Sequence, residues 1–296
     1  MIVRDRPGVY QLLFAMRGSI LPIIAPQILV VAAVAVGLVL LQHHFAVLPA
    51  IDATPFTVFG IALSLFLGFR NNAAYDRWWE ARRLWGGLLA DVRSLARETE
   101  VFVQDKPLRT KMLGETLAFM HLHRANLRQL PDDTEAKSRG SQFLTAPHPP
   151  CAALDSISAD VAQGCRNGQI DGFGARTLTA RVGSLALQQA GCERIALTPL
   201  PFVYSLLIYR TIYIYCFLLP LALVGPAGWM TPVFVAIVAY VFLGLAEVTE
   251  ELSHPFGSTT NGLPLDAICR AAEISIAPHL GLEAPQPLRA TDYYLS

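Results

Sequence analysis

Three long stretches of the chain contain no Asp, Glu, Lys or Arg, and they constrain its fold more than any other feature. The first runs from Gly18 to Ile51, the second from Ala53 to Phe69 and the third from Thr211 to Ala246. An uncharged apolar run of about 20 residues is long enough to cross the hydrocarbon core of a bilayer as a helix. The sequence therefore predicts a membrane protein.

The three runs predict four membrane-spanning helices. The first run supplies one helix over Ile20–Leu41, and the second run supplies another, with Pro55 suited to its first turn. Residues 225–228, Gly-Pro-Ala-Gly, divide the third run by turn chemistry into two further spans. The third span is predicted to begin near Pro199 or Pro201.

The charged residues are few and unevenly distributed. They make up 16% of the 296 residues, against about 25% in a soluble domain. The 23 Lys and Arg balance the 23 Asp and Glu, so there is no basic surface for nucleic acid, which we exclude as a partner. Residues 70 to 194 hold 17 basic and 14 acidic residues, which indicates a water-facing middle region.

The middle region has the composition of helices. Asn72–Val103 is predicted to continue the second span as one long helix, and Leu108–Leu130 and Thr177–Ile195 are further helical candidates. Pro131–Pro150 is predicted to be a loop, and Pro278–Ser296 an extended or disordered tail. The fold class is therefore all-α. Its predicted parts are 1–69 with the first two spans, a helical cytosolic region over 70–196, 197–250 with the last two spans, and a cytosolic C-terminal segment over 251–296.

The distribution of basic residues predicts the orientation. Arg4, Arg6 and Arg17 precede the first span, and the 17 basic residues of the middle region follow the second, whereas residues 43–53 contain no Lys or Arg. Basic residues flanking membrane spans stay on the cytoplasmic side. Both termini and the middle region are therefore expected in the cytoplasm, with the protein in the plasma (inner) membrane.

A search for catalytic chemistry finds little. The chain has no phosphate-binding loop, no nucleophile elbow and no zinc-protease or EF-hand motif, and its five cysteines form no metal-binding pair. His121 and His123 point to different sides of a helix, so ordinary polar packing is favoured over a metal site. Glu247, Glu250 and Glu251 at the end of the fourth span are read as a solvated helix end or an ion pair with an arginine. We expect no enzyme, no metal and no cofactor.

The second span carries a more informative pattern. Ile61, Leu65 and Phe69 lie at positions i, i+4 and i+8 and form one stripe along a helix. Ser64 and Gly68 supply a strip of small residues suited to close helix contact. By spacing alone, the apolar stripe faces lipid or a neighbouring helix.

The residues that follow this stripe resemble those of a known family. Residues 69–86, FRNNAAYDRWWEARRLWG, closely resemble a block in bacterial members of the bestrophin family. Residues 250–257, EELSHPFG, followed by LPLD at 263–266, resemble the segment after the family's last span. A weaker likeness is TPLPF at 198–202. Together these matches extend over nearly the whole chain.

The resemblance implies a homopentameric ion channel, with membrane lipid and permeating monovalent ions as its further partners. Each subunit would contribute four spans and a helical cytosolic domain, and Ile61, Leu65 and Phe69 would fall on the three apolar residues of the pore neck. Leu178 is the candidate for a second, cytosolic constriction. We interpret the Arg77-Trp78-Trp79 block as structural, packing subunits together below the neck.

The resemblance also bears on calcium and on ion choice. Calcium-activated animal bestrophins have a run of acidic residues after the Pro-Phe-Gly segment, whereas residues 258–262 here read STTNG and Asp266 is the only nearby acid. Because Ca²⁺ prefers several carboxylate ligands, we expect no calcium activation. The bacterial motif at 70–72, Arg-Asn-Asn, favours sodium-type cation selectivity. The alternatives are a chloride-selective channel and a membrane-anchored scaffold without conductance.

Overall fold

The computed structural model describes residues 1–3, 8–16, 18–46, 49 and 51–296. Helices, joined by turns and short irregular segments, make up this part of the chain, and its β-structure is limited to isolated bridges. Its α-helices are α1 Val9–Leu13, α2 Leu21–Phe45, α3 Thr54–Phe102, α4 Lys106–Leu127, α5 Thr134–Gly140, α6 Pro149–Arg166, α7 Gly172–Leu197, α8 Phe202–Ala227, α9 Thr231–Ser253 and α10 Leu265–Leu280. The predicted all-α class is confirmed.

The helices form two compact units, each built from separate stretches of sequence. The apolar unit comprises Asp5–Trp78 and Pro199–His254. The charged unit comprises Met1–Arg4, Trp79–Thr198 and Pro255–Ser296. Helix α3 contributes its first part to the apolar unit and its second part to the charged unit. The division into four segments along the chain stays a prediction.

The apolar unit has a core made by α2, α3, α8 and α9. Its fully buried members include Val31, Leu67, Ile212 and Ala239, one from each helix. Helix α2 and the segment Phe202–Ser253, which holds α8 and α9, are long and apolar enough to cross a membrane.

Prolines and a glycine set the ends of the last two apolar helices. Pro201 is the N-cap of α8, so the predicted start of the third span near this residue is confirmed. The helix continues through Pro226 and ends at Ala227. Its C-cap is Gly228, whose φ of 51° is a conformation that glycine adopts readily. A short 3₁₀ turn, Gly228–Met230, then leads into α9. The predicted break at 225–228 is confirmed at its last residue.

Helix α3 is 49 residues long, which confirms that the second span continues as one helix. At its start, the Asp52 carboxylate accepts hydrogen bonds from the backbone N–H and the hydroxyl of Thr54, at 2.9 and 2.8 Å. Such a bond satisfies a backbone donor that the first helical turn leaves free. In the charged unit, Trp85 and Leu88 of α3 are fully buried.

The charged unit contains more helix than the sequence predicted. Helices α4 and α7 confirm the candidates over Leu108–Leu130 and Thr177–Ile195, with bounds shifted by a few residues. The loop predicted over Pro131–Pro150 is wrong in part, because α5 lies within it with the Asp133 side chain capping its first turn. Helices α6 and α10 were not predicted.

The C-terminal tail is extended, as predicted, but it is held by hydrogen bonds rather than disordered. The Met1 amino group donates to the Leu295 carbonyl at 2.5 Å, and Ile2 pairs with Tyr294 in an antiparallel bridge. The last residue, Ser296, accepts a hydrogen bond from the backbone N–H of Ala267 in α10 at 3.0 Å. The N-terminal residues and α10 therefore fix the end of the chain.

The basic residues that gave the orientation cannot be compared with the structure. Arg4, Arg6 and Arg17 lie outside the described residues. The cytoplasmic position of both termini stays a prediction.

Candidate functional site: an exposed apolar stripe on helix α3

Within the apolar unit, helix α3 has one buried face and one exposed face, and both are apolar. Leu63 and Leu67 are buried in the core of the unit. On the other face, Ile61, Leu65 and Phe69 are 66%, 59% and 63% exposed. The three predicted neck residues therefore form one stripe that the described residues of this unit leave largely exposed.

The contact of α3 with α8 is close. A Cβ atom added at Gly60 would lie 2.6 Å from the hydroxyl oxygen of Tyr215 in α8, so the two helices approach there only because residue 60 has no side chain. This contact fixes which face of α3 is turned inward. The predicted stripe is consequently left on the surface.

At the end of the stripe, Arg70 is held by two other helices of the unit. Its Nη2 donates to Oε2 of Glu250 in α9 at 2.7 Å and to the Ser205 hydroxyl in α8 at 2.8 Å. The interpretation of the glutamate cluster as an ion pair with an arginine is confirmed for Glu250. Two turns further on, Arg77 Nε donates to the Ser253 carbonyl at 2.8 Å. These bonds give the residues after the stripe a structural role within the subunit.

The residue predicted for the second constriction is buried, unlike the three residues predicted for the neck. Leu178, in α7, is fully buried within the charged unit. A residue that narrows an aqueous pore has to present its side chain to that pore, which an enclosed leucine does not do. Five residues earlier, Phe173 in the first turn of α7 is 81% exposed. The sequence pattern around Leu178 did not distinguish a core position from a surface position.

Comparisons with known proteins identify the family of this chain. The family model described as bacterial/fungal bestrophin protein matches residues 1–278. The chain belongs to the bestrophin family. It is 43% identical to a voltage-dependent anion channel-forming protein of Mesorhizobium japonicum, over 100% of this chain and 97% of that protein. The corresponding protein of Escherichia coli K12 is 36% identical over 93% of each chain.

A solved structure supports the fold of this bestrophin. The crystal structure of a bacterial bestrophin homologue from Klebsiella pneumoniae matches with a TM-score of 0.83 and 29% identity, over 88% of this chain and 99% of that chain. The matches place this bestrophin in a channel-forming membrane family, and it is not an enzyme.

The expected sodium-type selectivity is contradicted. The relatives are named voltage-dependent anion channel-forming proteins, which supports the alternative of a chloride/anion-selective channel. The expectation relied on residues 70–72, yet in this bestrophin the Arg70 guanidinium is paired with Glu250 within the subunit. A short motif that is used for packing gives no information on the sign of the permeating ion.

The two histidines in α4 of this bestrophin have different surroundings. His121 Nε2 lies 2.9 Å from Glu273 Oε1, and Glu273 also accepts from Arg139 Nη2 at 2.8 Å and Arg270 Nε at 2.6 Å. His121, Glu135 and Glu273 have ligand atoms within 4.8 Å of one another. A cation could be held there only in competition with the two arginines, which already neutralise Glu273.

His123 is enclosed by aromatic rings. It stacks against Trp85 and Phe119, with ring centroids 5.6 and 5.7 Å apart. Burial lowers the pKa of His123 to about 3, and the nearby His148 contributes in the same direction. The ring is therefore neutral at physiological pH and acts as part of the core.

Asp266 is the acid nearest to the segment that carries calcium ligands in animal bestrophins. Its carboxylate accepts from Arg128 Nη1 at 2.7 Å and pairs with Arg124 Nη1 at 2.9 Å. Burial by itself raises the pKa of this carboxyl, but the hydrogen bond from Arg128 and the two positive charges outweigh it, so the pKa lies below its usual value. The charge of Asp266 is thus already neutralised by two arginines.

Proposed function

We propose that this protein is an anion channel of the inner membrane, formed by five copies around a central axis. The observation that carries the proposal is the exposed stripe of Ile61, Leu65 and Phe69 on a helix whose opposite face is buried. In the assembly, α2, the first part of α3, α8 and α9 are the four spans of each subunit. The stripe of every copy faces the axis and forms the neck.

An apolar neck has a clear physical consequence for conduction. It offers an ion no replacement for its hydration shell, so it conducts when it is wide enough to stay wetted and stops when it narrows or dewets. A ring of identical subunits produces such a neck from one repeated interface. Because the stripe is uncharged, the preference for anions has to come from charges or dipoles elsewhere along the path. The names of the relatives support that preference.

Phe173 takes the place of Leu178 as our candidate for the cytosolic constriction. It has an exposed, large apolar side chain and lies on the same helix, whereas Leu178 is enclosed. Replacing Phe173 by Ala is expected to change conductance with little loss of stability. Replacing Leu178 by Ala is expected to do the reverse, because it would leave a cavity in the core.

The position of the charges supports the remaining parts of the proposal. The basic residues of the middle region favour a cytoplasmic location for that region and for both termini. Calcium activation is not expected, since Asp266 is paired with Arg124 and Arg128 and residues 258–262 contain no acid. Micromolar calcium should therefore leave the current unchanged.

The test of the neck is the single-channel conductance of Leu65→Ala in a planar bilayer. A wider or more easily wetted neck should change the conductance or the ion preference. Leu218→Ala is the matched control, because Leu218 is also an exposed leucine on an apolar helix, 44% exposed on α8, but does not belong to the stripe. If both variants conduct like the unaltered protein, the stripe does not line the ion path, and a scaffold role regains support.

A further inference from the structure

Next to the neck stripe, α3 and the start of α8 line a cavity of about 500 Å³ that is open to the surface of the subunit. Large apolar side chains line most of it, Phe59 and Phe66 from α3 and Leu207 from α8 among them. Arg70 is the only charged residue in the lining. A cavity of this size and apolar character on the surface of a subunit is suited to an occupant from outside it.

Arg70 is incompletely bonded. Its side chain is only 3% exposed, and while Nη2 is bonded to Glu250 and Ser205, Nε and Nη1 have no hydrogen-bond partner among the described residues. Leaving the N–H groups of a buried guanidinium unpaired is costly. The cavity is therefore lined by a residue with N–H donors for which the described part of the subunit supplies no acceptor.

On the other side of the neck stripe, α3 carries small residues instead of large apolar ones. Ser64 is exposed and Gly68 is partly exposed, and a Cβ atom added at Gly68 would meet nothing within 4 Å. Small residues with free space around them allow another helix to approach closely. This small-residue strip projects no large side chain, so it fits against the large side chains that line the cavity.

The two surfaces lie on opposite sides of the neck stripe. Counted at about 100° per residue along a helix, the α3 residues of the cavity lie about 100° to one side of the stripe and the small-residue strip about 80° to the other. When the stripe faces the axis of a ring, each α3 has one neighbour on each side. The cavity of one subunit then faces the small-residue strip of the next, as a closed ring with a single head-to-tail interface requires.

We propose that the cavity of each subunit receives the Ser64 and Gly68 face of α3 from the adjacent copy, which also supplies the missing acceptors for Arg70. The proposal rests on the ring of the proposed function and deepens it by naming the two surfaces that meet. It makes Arg70 a residue whose bonding is completed only in the assembly. The polar side chains of the donating face are Ser64 and, one turn beyond Gly68, the exposed Asn72.

Crosslinking between copies tests this arrangement directly. Ala62 lines the cavity and Ser64 lies on the opposite strip. Ala62→Cys, Ser64→Cys and the double variant would be made in a chain whose two accessible cysteines, Cys151 and Cys165, are replaced by Ser. Membranes would be treated with a short bifunctional maleimide, and the products separated by denaturing electrophoresis.

The head-to-tail contact predicts a distinctive result. The double variant should give a ladder of covalent species longer than a dimer, because every subunit then carries both halves of the contact. Each single variant carries one introduced thiol per subunit and should give no species longer than a dimer. A double variant whose products also stop at the dimer would overturn the proposal. Failure of the double variant to crosslink, in an assembly shown intact by light scattering, would also overturn it and leave a lipid chain as the occupant of the cavity.

A second variant tests the fit without new cysteines. Gly68→Leu places a branched side chain on the strip and should lower the mass of the purified assembly in detergent from that of the ring to that of the subunit. Gly37→Leu is the matched control, since a Cβ at Gly37 in α2 also meets nothing within 4 Å, and it should leave the mass unchanged. An intact ring with Gly68→Leu would contradict the proposal.

The outcomes separate this proposal from the channel function. A full ladder from protein that carries no current would support the interface and contradict the channel. Currents from protein that forms no ladder would support the channel and contradict the interface.

Discussion

The two parts of α3 contain the same kind of residues in opposite environments. In the charged unit, Trp85 and Leu88 are completely enclosed by other helices of the chain. In the apolar unit, Leu65 and Phe69 are more than half exposed on the same helix. The helical spacing of large apolar residues therefore predicts that a stripe is covered. It does not predict whether the cover is another helix of the same chain or something outside it. In one part the cover comes from the chain itself, and in the other it has to come from outside.

The charged side chains of the two parts differ in the same way. In the charged unit, Arg181 bonds to Asp91 and Glu98 of α3, each at 2.7 Å, so its partners all belong to the chain. In the apolar unit, Arg70 uses one nitrogen on Glu250 and Ser205 and leaves two without acceptors among the described residues. Arg181 therefore finds its acceptors within the subunit, whereas in the proposed assembly Arg70 gains its missing acceptors from the neighbouring copy.

The largest expected difference comes from the same substitution at two places on α3. Leu88→Ala removes a fully buried side chain and should lower the free energy of unfolding by about 2–5 kcal/mol. Leu65→Ala removes an exposed one and should change the stability of the isolated subunit by less than about 0.5 kcal/mol. Denaturant titration of both proteins in the same detergent would measure the contrast. Equal losses at the two positions would remove the distinction between the two parts of the helix.

A smaller effect is expected in the charged unit when an internal ion pair is removed. Asp266→Asn should lower stability by about 2 kcal/mol at pH 7, because Arg124 and Arg128 lose a charged acceptor. The folded state lowers the pKa of Asp266, so its contribution is present above the ordinary pKa of 3.8 and is lost as the pH falls through the lower, folded value.

The pH dependence supplies the check on Asp266. The difference in melting temperature between Asp266→Asn and the unaltered protein should be constant near neutrality and shrink below about pH 4. Asp155→Asn, at an exposed position of α6, is the control and should show no difference at any pH. A difference for Asp266→Asn that persists at low pH would mean that the carboxylate charge is not what stabilises this unit.

The smallest effect is expected at the ion pair of the apolar unit. Glu250→Gln should cost about 1 kcal/mol, because the Glu250 side chain is 41% exposed and solvent screens its charge. Ser205 continues to accept from Arg70 Nη2. Thermal unfolding of the assembly would measure the loss, with Glu283→Gln in the exposed tail as a neutral control. A loss of several kcal/mol would show that Arg70 depends on this carboxylate and not on a neighbouring copy.

Much of the fold could be predicted because uncharged length and turn residues are local signals. The absence of charge predicted one long apolar helix over Ile20–Leu41, which the structure shows as Leu21–Phe45. Pro201 and the Gly-Pro-Ala-Gly sequence at 225–228 indicated where α8 begins and ends. The continuous α3 followed from its helix-forming composition. Helices α6 and α10 lacked such a signal, since neither has a long uncharged run and both depend on packing against α4.

The site could be predicted only in part. The spacing of Ile61, Leu65 and Phe69 identified a stripe, and the family resemblance gave it a role. Leu178 was chosen without knowledge of burial, which depends on contacts between distant parts of the chain. The sign of the permeating ion could not be obtained from an uncharged neck, and the relatives corrected it.

The central claim is that the exposed stripe lines an anion path, and the reversal potential of purified protein under a NaCl gradient tests it most directly. We predict a shift toward the chloride equilibrium potential, of about 59 mV per tenfold gradient for a perfectly selective path. Leu65→Asp should move it toward the sodium value by placing a ring of carboxylates in the neck. A shift toward sodium in the unaltered protein, or one that Leu65→Asp leaves unchanged, would contradict the account.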